Sequence, residues 1–139
     1  IKRAAKISQS EEFIKKLEGK YDYQVAQGGT NVSGGQKQRL SIARALAVNP
    51  EIFIFDDSFS ALDFKTDAKL RADLKKETKG STVIIVAQRI GTVLDADKIV
   101  VLDEGKVVGL GKHKELLKTC KVYKEIALSQ LSEEELKYE

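Results

Sequence analysis

The chain has 139 residues, of which 42% are hydrophobic and 32% are charged, so it can build about one domain with a core. Its net charge of +3, from 24 basic and 21 acidic residues, is too mild and too interspersed to indicate nucleic-acid binding. No apolar run approaches the roughly 20 residues of a membrane span, and no signal peptide is visible. The single cysteine, Cys120, excludes an internal disulfide and fits a reducing compartment.

The first thirty residues predict a helical region followed by a loop. Apolar residues recur at helical spacing from Ile1 to Leu17, with a possible break at residues 10–12. Gly19 ends this region. The loop that follows extends to Thr30, and the glycine pair at 28–29 is its strongest breaker of regular structure.

The next segment begins with a serine and two glycines that precede a helix predicted over residues 34–48. Ser33 is a good N-cap residue. Gly34 and Gly35 have no side chains, so an anion can approach their N–H groups, where the helix dipole adds positive character. By themselves, however, these three residues are often only a cap, and the basic side chains further along this helix favour packing or surface pairing over phosphate binding.

A four-residue apolar run at 52–55 follows and ends on two adjacent carboxylates. The run is too short for an ordinary helix and shows no alternation, so it predicts a strand buried on both faces of a parallel sheet. Ligands of such sheets bind beyond the carboxyl ends of the strands. Asp56 can hold Mg²⁺ there, directly or through water, and Asp57 can orient an attacking water.

The remainder predicts an α/β layered fold, because buried strands alternate with helices. A charged helix is expected over 64–79, with Leu70 and Leu74 facing inward and Gly80 as a candidate C-cap. The other predicted elements are strands at 82–87, 98–102 and 107–110, the last two forming a hairpin, short helices at 112–120 and 122–131, and a frayed tail at 132–139.

Three further features allow ordinary structural interpretations. The sequence SALD at 60–63, taken alone, predicts a turn followed by an N-cap. His113, the only histidine, is predicted to be structural because no cysteines or carboxylates surround it as metal ligands would. Gln88 draws attention only because it follows a strand end near the carboxylates.

Taken together, these residues resemble the ATP-binding cassette (ABC) transporter family over about residues 1–131. The opening stretch at 4–29 resembles the helical subdomain and X-loop of exporter-type members. Four motifs then occur in the family's order: NVSGGQKQR at 31–39 as the signature, IFIFDD at 52–57 as Walker B, SALD at 60–63 as the D-loop and IIVAQR at 84–89 as the H-loop.

The resemblance implies a P-loop NTPase (RecA-like) core with a parallel sheet, of which this chain would be the C-terminal half, plus part of the helical subdomain. The implied division is a helical segment with X-loop and signature helix at 1–48, the ATPase core at 49–131 and the tail at 132–139. No Walker A motif and no Q-loop occurs in the sequence. We therefore expect the isolated chain neither to bind MgATP tightly nor to hydrolyse it.

The resemblance also implies ATP and Mg²⁺ as cofactors and assigns roles to individual residues. Asp57 and Gln88 would be catalytic, and Asp56 would hold the metal. Nucleotide contacts would come from the signature residues Ser33, Gly34, Gly35 and Gln36 and from the D-loop residues Ser60, Ala61, Leu62 and Asp63.

Two of these residues depart from the family. Asp57 stands where the family has its catalytic glutamate, so its carboxylate retreats by roughly 1.5 Å, and a displacement of about 1 Å can cost on the order of 10²-fold in rate. Gln88 stands where the family has histidine, and glutamine can donate a hydrogen bond but cannot carry a proton. An intact signature beside two weakened residues resembles the degenerate half of a heterodimeric exporter.

The implied partners are a second nucleotide-binding domain on a different subunit and transmembrane domains in the same or a separate chain, with no nucleic acid. The implied location is the cytoplasmic face of the plasma membrane. Two other functions stay open: a nucleotide-holding regulatory cassette without turnover, and a non-transport ABC ATPase of DNA maintenance. A coiled-coil insertion or a basic stripe would favour the latter, and the sequence contains neither.

Overall fold

The computed structural model describes residues 1–131, and the predicted tail at 132–139 lies outside the described residues. Contacts divide the chain into two compact units, the first from Ile1 to Val86 and the second beginning at Ala87. The functional boundary expected between residues 48 and 49 is a different division and stays a prediction.

The first unit places helices and strands in the order α1 (Lys2–Ile7), α2 (Glu11–Ile14), α3 (Gly34–Val48), β1 (Ile52–Asp56), α4 (Phe64–Glu77) and β2 (Thr82–Val86). The break expected in the N-terminal helical region is confirmed between α1 and α2, where the buried hydroxyls of Ser8 and Ser10 lie 2.8 Å apart. The loop expected before α3 contains two short 3-10 turns, at Lys20–Asp22 and Gln27–Gly29.

Strands β1 and β2 pair in parallel, with Ile52 opposite Thr82 and Asp56 opposite Val86. The expected burial of β1 on both faces is wrong here, because Phe55 is 2% exposed whereas Ile54 is 68% exposed. Within the described residues, apolar side chains of α3 and α4 pack against only one face of the strand. Alternate side chains of a strand point to opposite faces, so the other set stays open to solvent.

The core of the first unit lies between this strand face and the helices. The buried inner residues of α4 are Leu70 and Leu74, as the sequence predicts. Gly80 is not the C-cap of α4, since the helix ends at Glu77 with Thr78 as its C-cap, and Gly80 turns the chain with φ +93° on the way to β2. The buried members of this core are Ala4, Ile42, Leu46, Phe53, Phe55, Phe59, Leu62, Leu70 and Leu74.

The second unit contains α5 (Ile90–Val93), β3 (Ile99–Asp103), β4 (Lys106–Gly111), α6 (His113–Thr119) and α7 (Lys121–Gln130). The predicted hairpin is confirmed, because β3 and β4 pair in antiparallel fashion through Glu104 and Gly105. Both of these residues have positive φ, at 45° and 75°, which suits the twist of a two-residue hairpin loop.

The single histidine and the single cysteine both pack inside the second unit. The Nδ1 atom of His113 lies 2.8 Å from the hydroxyl of Tyr123, and the two rings meet edge to face. Cys120 is buried, with its Sγ 3.7 Å from the carbonyl of Val108. These contacts agree with a structural role for His113. No helix in the part of the chain that the structure describes is long and apolar enough to cross a membrane.

Candidate functional site

The first turn of α3 is organised by a reciprocal capping box. Ser33 Oγ accepts a hydrogen bond from the backbone N–H of Gln36 at 3.2 Å, and Gln36 Oε1 accepts one from the N–H of Ser33 at 2.9 Å. No acidic side chain lies in this turn. The positive end of the helix dipole, beside the exposed Ser33 and Gly34, is therefore not neutralised by a carboxylate of its own first turn, which suits an anion.

The two glycines let this turn approach the SALD loop of the same chain. A Cβ atom added to Gly35 would lie 2.9 Å from the carbonyl oxygen of Ala61, closer than side-chain carbons normally come. At Gly34 the nearest atom would be Ala61 Cβ, at 3.8 Å. Gly35 is therefore required by packing against the backbone of residue 61, in addition to any contact with a ligand.

Gln38, one turn further along α3, holds the same loop through its side-chain amide. Its Nε2 donates to the carbonyl of Asp57 at 3.1 Å and to the hydroxyl of Ser60 at 3.0 Å. Its Oε1 accepts from the N–H of Ala61 at 2.9 Å. The role of Gln38 is not predictable from the sequence, because a glutamine inside a helix carries no signal of partners about twenty residues away.

The two adjacent carboxylates lie at the carboxyl end of β1, as the sequence predicts. Asp56 is the last residue of the strand, and both Asp56 and Asp57 are exposed. Asp57 has φ +46°, a left-handed conformation that aspartate tolerates better than most residues. Its N–H continues the ladder to β2 by donating to the carbonyl of Val86 at 3.0 Å.

The SALD residues divide between the surface and the core. Ser60 and Ala61 are exposed, whereas the side chain of Leu62 is buried in the core of the first unit. Asp63 caps α4, where hydrogen bonds from Thr66, the backbone N–H first, hold the pKa of Asp63 below its ordinary value. The turn followed by an N-cap is thus confirmed, and the packing of Ala61 against Gly35 is an additional feature.

Comparisons with known proteins agree with the motif order. Residues 2–60 match the family model described as ABC transporter. The chain is 54% identical, over 76% of its length, to an uncharacterized ABC transporter ATP-binding protein of Mycobacterium tuberculosis, Rv1273c. It is 48% identical, over 82% of its length, to the alpha-hemolysin translocation ATP-binding protein HlyB of Escherichia coli.

A solved structure shows the same fold. The chain superposes on a bacterial Atm1-family ABC exporter with ATP bound, with a TM-score of 0.87 and 38% identity over 94% of this chain and 23% of that one. The expected α/β fold of an ABC exporter nucleotide-binding domain is therefore confirmed. The chain spans about a fifth of the length of the curated relatives, 18% of Rv1273c and 16% of HlyB.

Gln88, at the H-loop position of the ABC resemblance, belongs to the second unit. Its side chain is exposed, and its backbone is fixed by α7. Gln130 Nε2 donates to the carbonyl of Gln88 at 2.8 Å, and Gln130 Oε1 accepts from the N–H of Ile90 at 2.9 Å. These two bonds fix the backbone around Gln88, and neither of them involves the Gln88 side chain.

Arg39 of α3 packs against residues of the N-terminal helical region. Its Nη1 donates to the carbonyl of Gln9 at 2.7 Å, and its guanidinium lies 4.8 Å from the ring centre of Phe13. Burial lowers the pKa of Arg39, and the charges of Asp63 and Glu12 oppose that shift. The packing expected of this basic side chain is confirmed for Arg39.

The carboxylates of the Walker B position fit a magnesium ion that is shared with a nucleotide. Among the described residues, no group of three or more His, Cys, Asp or Glu side chains could enclose a metal by itself. Mg²⁺ usually binds one or two carboxylates together with waters and substrate phosphates. The exposed carboxylate of Asp56 is a donor of the kind that this mode of binding uses.

Proposed function

We propose that this chain is part of the ATP-binding domain of an ABC exporter, at the cytoplasmic face of the plasma membrane, and that ATP hydrolysis there powers export of a substrate. The observation that carries the proposal is the contact between the signature turn and the D-loop, where Gly35 lies against the carbonyl of Ala61. This contact sits beside the carboxylates at the end of β1, because Gln38 bonds to both Asp57 and Ala61.

The signature turn acts on ATP bound by a second nucleotide-binding domain. Ser33 and the N–H groups of Gly34 and Gly35 lie at the positive end of α3, where no acidic side chain of the first turn competes with a phosphate. Hydrogen-bond donors that are already fixed in place stabilise charge in a transition state without reorganising. This part of the chain is intact and supports turnover at the partner's site.

The chain's own ATP site is the weaker one. Asp56 holds Mg²⁺, which neutralises phosphate charge when it is bound with the nucleotide. Asp57 orients the attacking water, but its carboxylate is one methylene shorter than the glutamate of the family. Gln88 donates a hydrogen bond to the terminal phosphate and cannot relay a proton. The complete transporter is therefore an asymmetric pair of ATP sites, with transmembrane domains in the same or a separate chain.

A nucleotide-holding cassette without turnover is the second candidate. It is favoured by the same two residues, Asp57 and Gln88, since both reduce hydrolysis and leave nucleotide binding possible. In that case the partner's ATP site would also have to be unable to hydrolyse ATP, and the assembled complex would bind ATP without releasing phosphate.

The test compares one signature change with one Walker B change in the assembled transporter. Gly35→Asp brings a carboxylate toward the terminal phosphate, where like charges about 4 Å apart repel by about 4 kcal/mol at an effective dielectric near 20. Its Cβ also presses on the Ala61 carbonyl, so it disturbs the contact with the loop as well as the charge. Steady-state ATPase activity should therefore be abolished, while this subunit still binds its own nucleotide. Asp57→Asn should cost the complex at most about twofold, because a slow site contributes little to total turnover.

The matched control is Gly91→Asp, the same substitution at a helical glycine where an added Cβ meets no heavy atom within 4 Å. It should leave ATPase activity unchanged. Equal losses from Gly35→Asp and Asp57→Asn would indicate two working sites and would contradict the asymmetric pair. Absence of any ATPase activity in the wild-type complex would favour the nucleotide-holding cassette.

A further inference from the structure

The side chain of Gln38 connects three positions of the loop that follows β1. Its amide nitrogen donates to the Asp57 carbonyl at 3.1 Å and to Ser60 Oγ at 3.0 Å, and its amide oxygen accepts from the Ala61 N–H at 2.9 Å. The side chain is half-buried. All three contacts come from the helix whose first turn contains Gly35.

These bonds act on a residue with an uncommon backbone conformation. Asp57 has φ +46°, and both its backbone N–H and its backbone carbonyl are hydrogen-bonded. Its N–H donates to Val86 at 3.0 Å, and its carbonyl accepts from Gln38 and from the hydroxyl of Ser60, at 3.1 Å each. Surrounding contacts must hold such a conformation in place, and the direction of the Asp57 carboxylate follows from it.

The other end of the loop is fixed to the same helix. Ala61 donates its N–H to Gln38, and the Ala61 carbonyl oxygen lies 2.9 Å from the position that a Cβ of residue 35 would take. The peptide groups on both sides of Ala61 are thus held by α3. Any shift of the signature turn would therefore be transmitted to residues 57–61 through one side chain and one close backbone contact.

Glutamine suits this position for a chemical reason. A side-chain amide provides two donors and one acceptor on a single planar group. Glutamate has no donors when it is ionised, lysine has no acceptor, and asparagine is one methylene shorter. The three bonds to residues 57, 60 and 61 require both kinds of atom at this reach.

We propose that Gln38 is a positioning residue for ATP turnover. It fixes the signature turn, which faces the partner's nucleotide, relative to Asp57, which faces the chain's own nucleotide. This inference rests on the proposed function. Gln38 itself touches no nucleotide, so its loss changes the rate of turnover and leaves the affinity for ATP almost unchanged.

The experiment uses the full-length subunit assembled with its partners and measures kcat and KM for ATP. Gln38→Ala should lower kcat about tenfold, because displacements below 1 Å already reduce rates, while KM stays within about twofold. Gln38→Glu keeps the acceptor for Ala61 and loses both donors to Asp57 and Ser60. It should therefore lower kcat as far as Gln38→Ala does.

Thr78→Ala is the control for a loss of stability alone. It removes a buried hydroxyl of the same unit, which donates to the Leu74 carbonyl at 2.9 Å. Even if Thr78→Ala lowers the melting temperature as much as Gln38→Ala does, its kcat should stay at the wild-type value. Two results would overturn the positioning role. One is that kcat falls no further in Gln38→Ala than in Thr78→Ala. The other is that Gln38→Glu keeps the wild-type kcat.

Hydrogen exchange separates this inference from the proposed function. If the wild-type complex binds ATP without turnover, the proposed ATPase function is wrong. Hydrogen exchange can still show whether Gln38 holds the loop in place. Amides of residues 57–62 should exchange about tenfold faster in Gln38→Ala than in wild type or Thr78→Ala. Unchanged exchange in that segment would overturn the inference independently of any ATPase activity.

Discussion

Helices α3 and α6 both begin beside glycines and carry basic residues, yet their first turns are organised differently. In α3 the third helical position is Gln36, and no acidic residue lies in the turn. In α6 the third position is Glu115, whose Oε2 accepts from the Lys112 N–H at 3.4 Å. The side chain of Glu115 also fills the space beside Gly111, 2.6 Å from where a Cβ would lie.

The difference concerns which charge meets the helix dipole. An internal carboxylate at the start of α6 already neutralises the positive end of the helix. At α3 the same position is a neutral amide, so the positive end is left to an outside anion. A glycine before a helix is therefore no evidence of a phosphate site until the charge of the first turn is known.

The buried leucines of α3 and α6 should contribute equally to the free energy of unfolding, and truncating them should give the largest effects. Leu46 of α3 and Leu116 of α6 are each 1% exposed. Truncating either to alanine should lower the free energy of unfolding by about 2–5 kcal/mol, from lost transfer energy and a residual cavity. Denaturant unfolding of the ATP-binding domain measures this loss. A loss below about 1 kcal/mol at either leucine would show that this helix is not held by its buried side chain.

Exchanging the charge of the first turn should give the next largest effect. Gln36→Glu places at α3 the residue that α6 already has. Glutamate suits a capping box, so stability should not fall. If this turn contacts a partner's ATP as proposed, the new charge should repel that nucleotide and lower kcat/KM for ATP about tenfold, which corresponds to ~1.4 kcal/mol.

Glu115→Gln is the reciprocal control for that exchange. It should lower stability by about 0.3–1 kcal/mol through loss of a dipole interaction, with kcat/KM unchanged. Steady-state ATPase assays of the assembled complex compare the two variants. Wild-type kcat/KM in Gln36→Glu would mean that the first turn of α3 does not meet the phosphates.

The smallest effect concerns α4, a third helix that begins with a carboxylate. Asp63 has a pKa below its ordinary value of 3.8, held there chiefly by the backbone N–H of Thr66. A lowered pKa in the folded state means that the stabilisation is present above pH 3.8 and is lost as pH falls through the folded pKa. Asp63→Asn should therefore keep the cap and flatten the pH dependence of stability in that range. Acid unfolding curves that coincide for the two proteins would contradict this.

Much of the local structure followed from the sequence. Ser33 and the glycines predict the start of α3, and the observed helix Gly34–Val48 has the predicted bounds. The buried Leu70 and Leu74 follow from helical spacing, and the hairpin follows from its turn residues. The ABC resemblance was carried by motifs in order, and the family comparison supports it. These features depend on contacts within a few residues, which is why a pattern of residues can indicate them.

The tertiary structure alone decided how the motifs touch one another. The sequence by itself determined the elements, the two carboxylates after β1 and the neutral first turn of α3. It did not indicate that Gln38 would bond to Asp57 and Ala61, nor that Asp57 would take a positive φ. It also predicted burial on both faces of β1, where the structure covers one. Each of these depends on which segments distant in the chain meet, because hydrogen bonds and burial are set by neighbours in space rather than by neighbours in sequence.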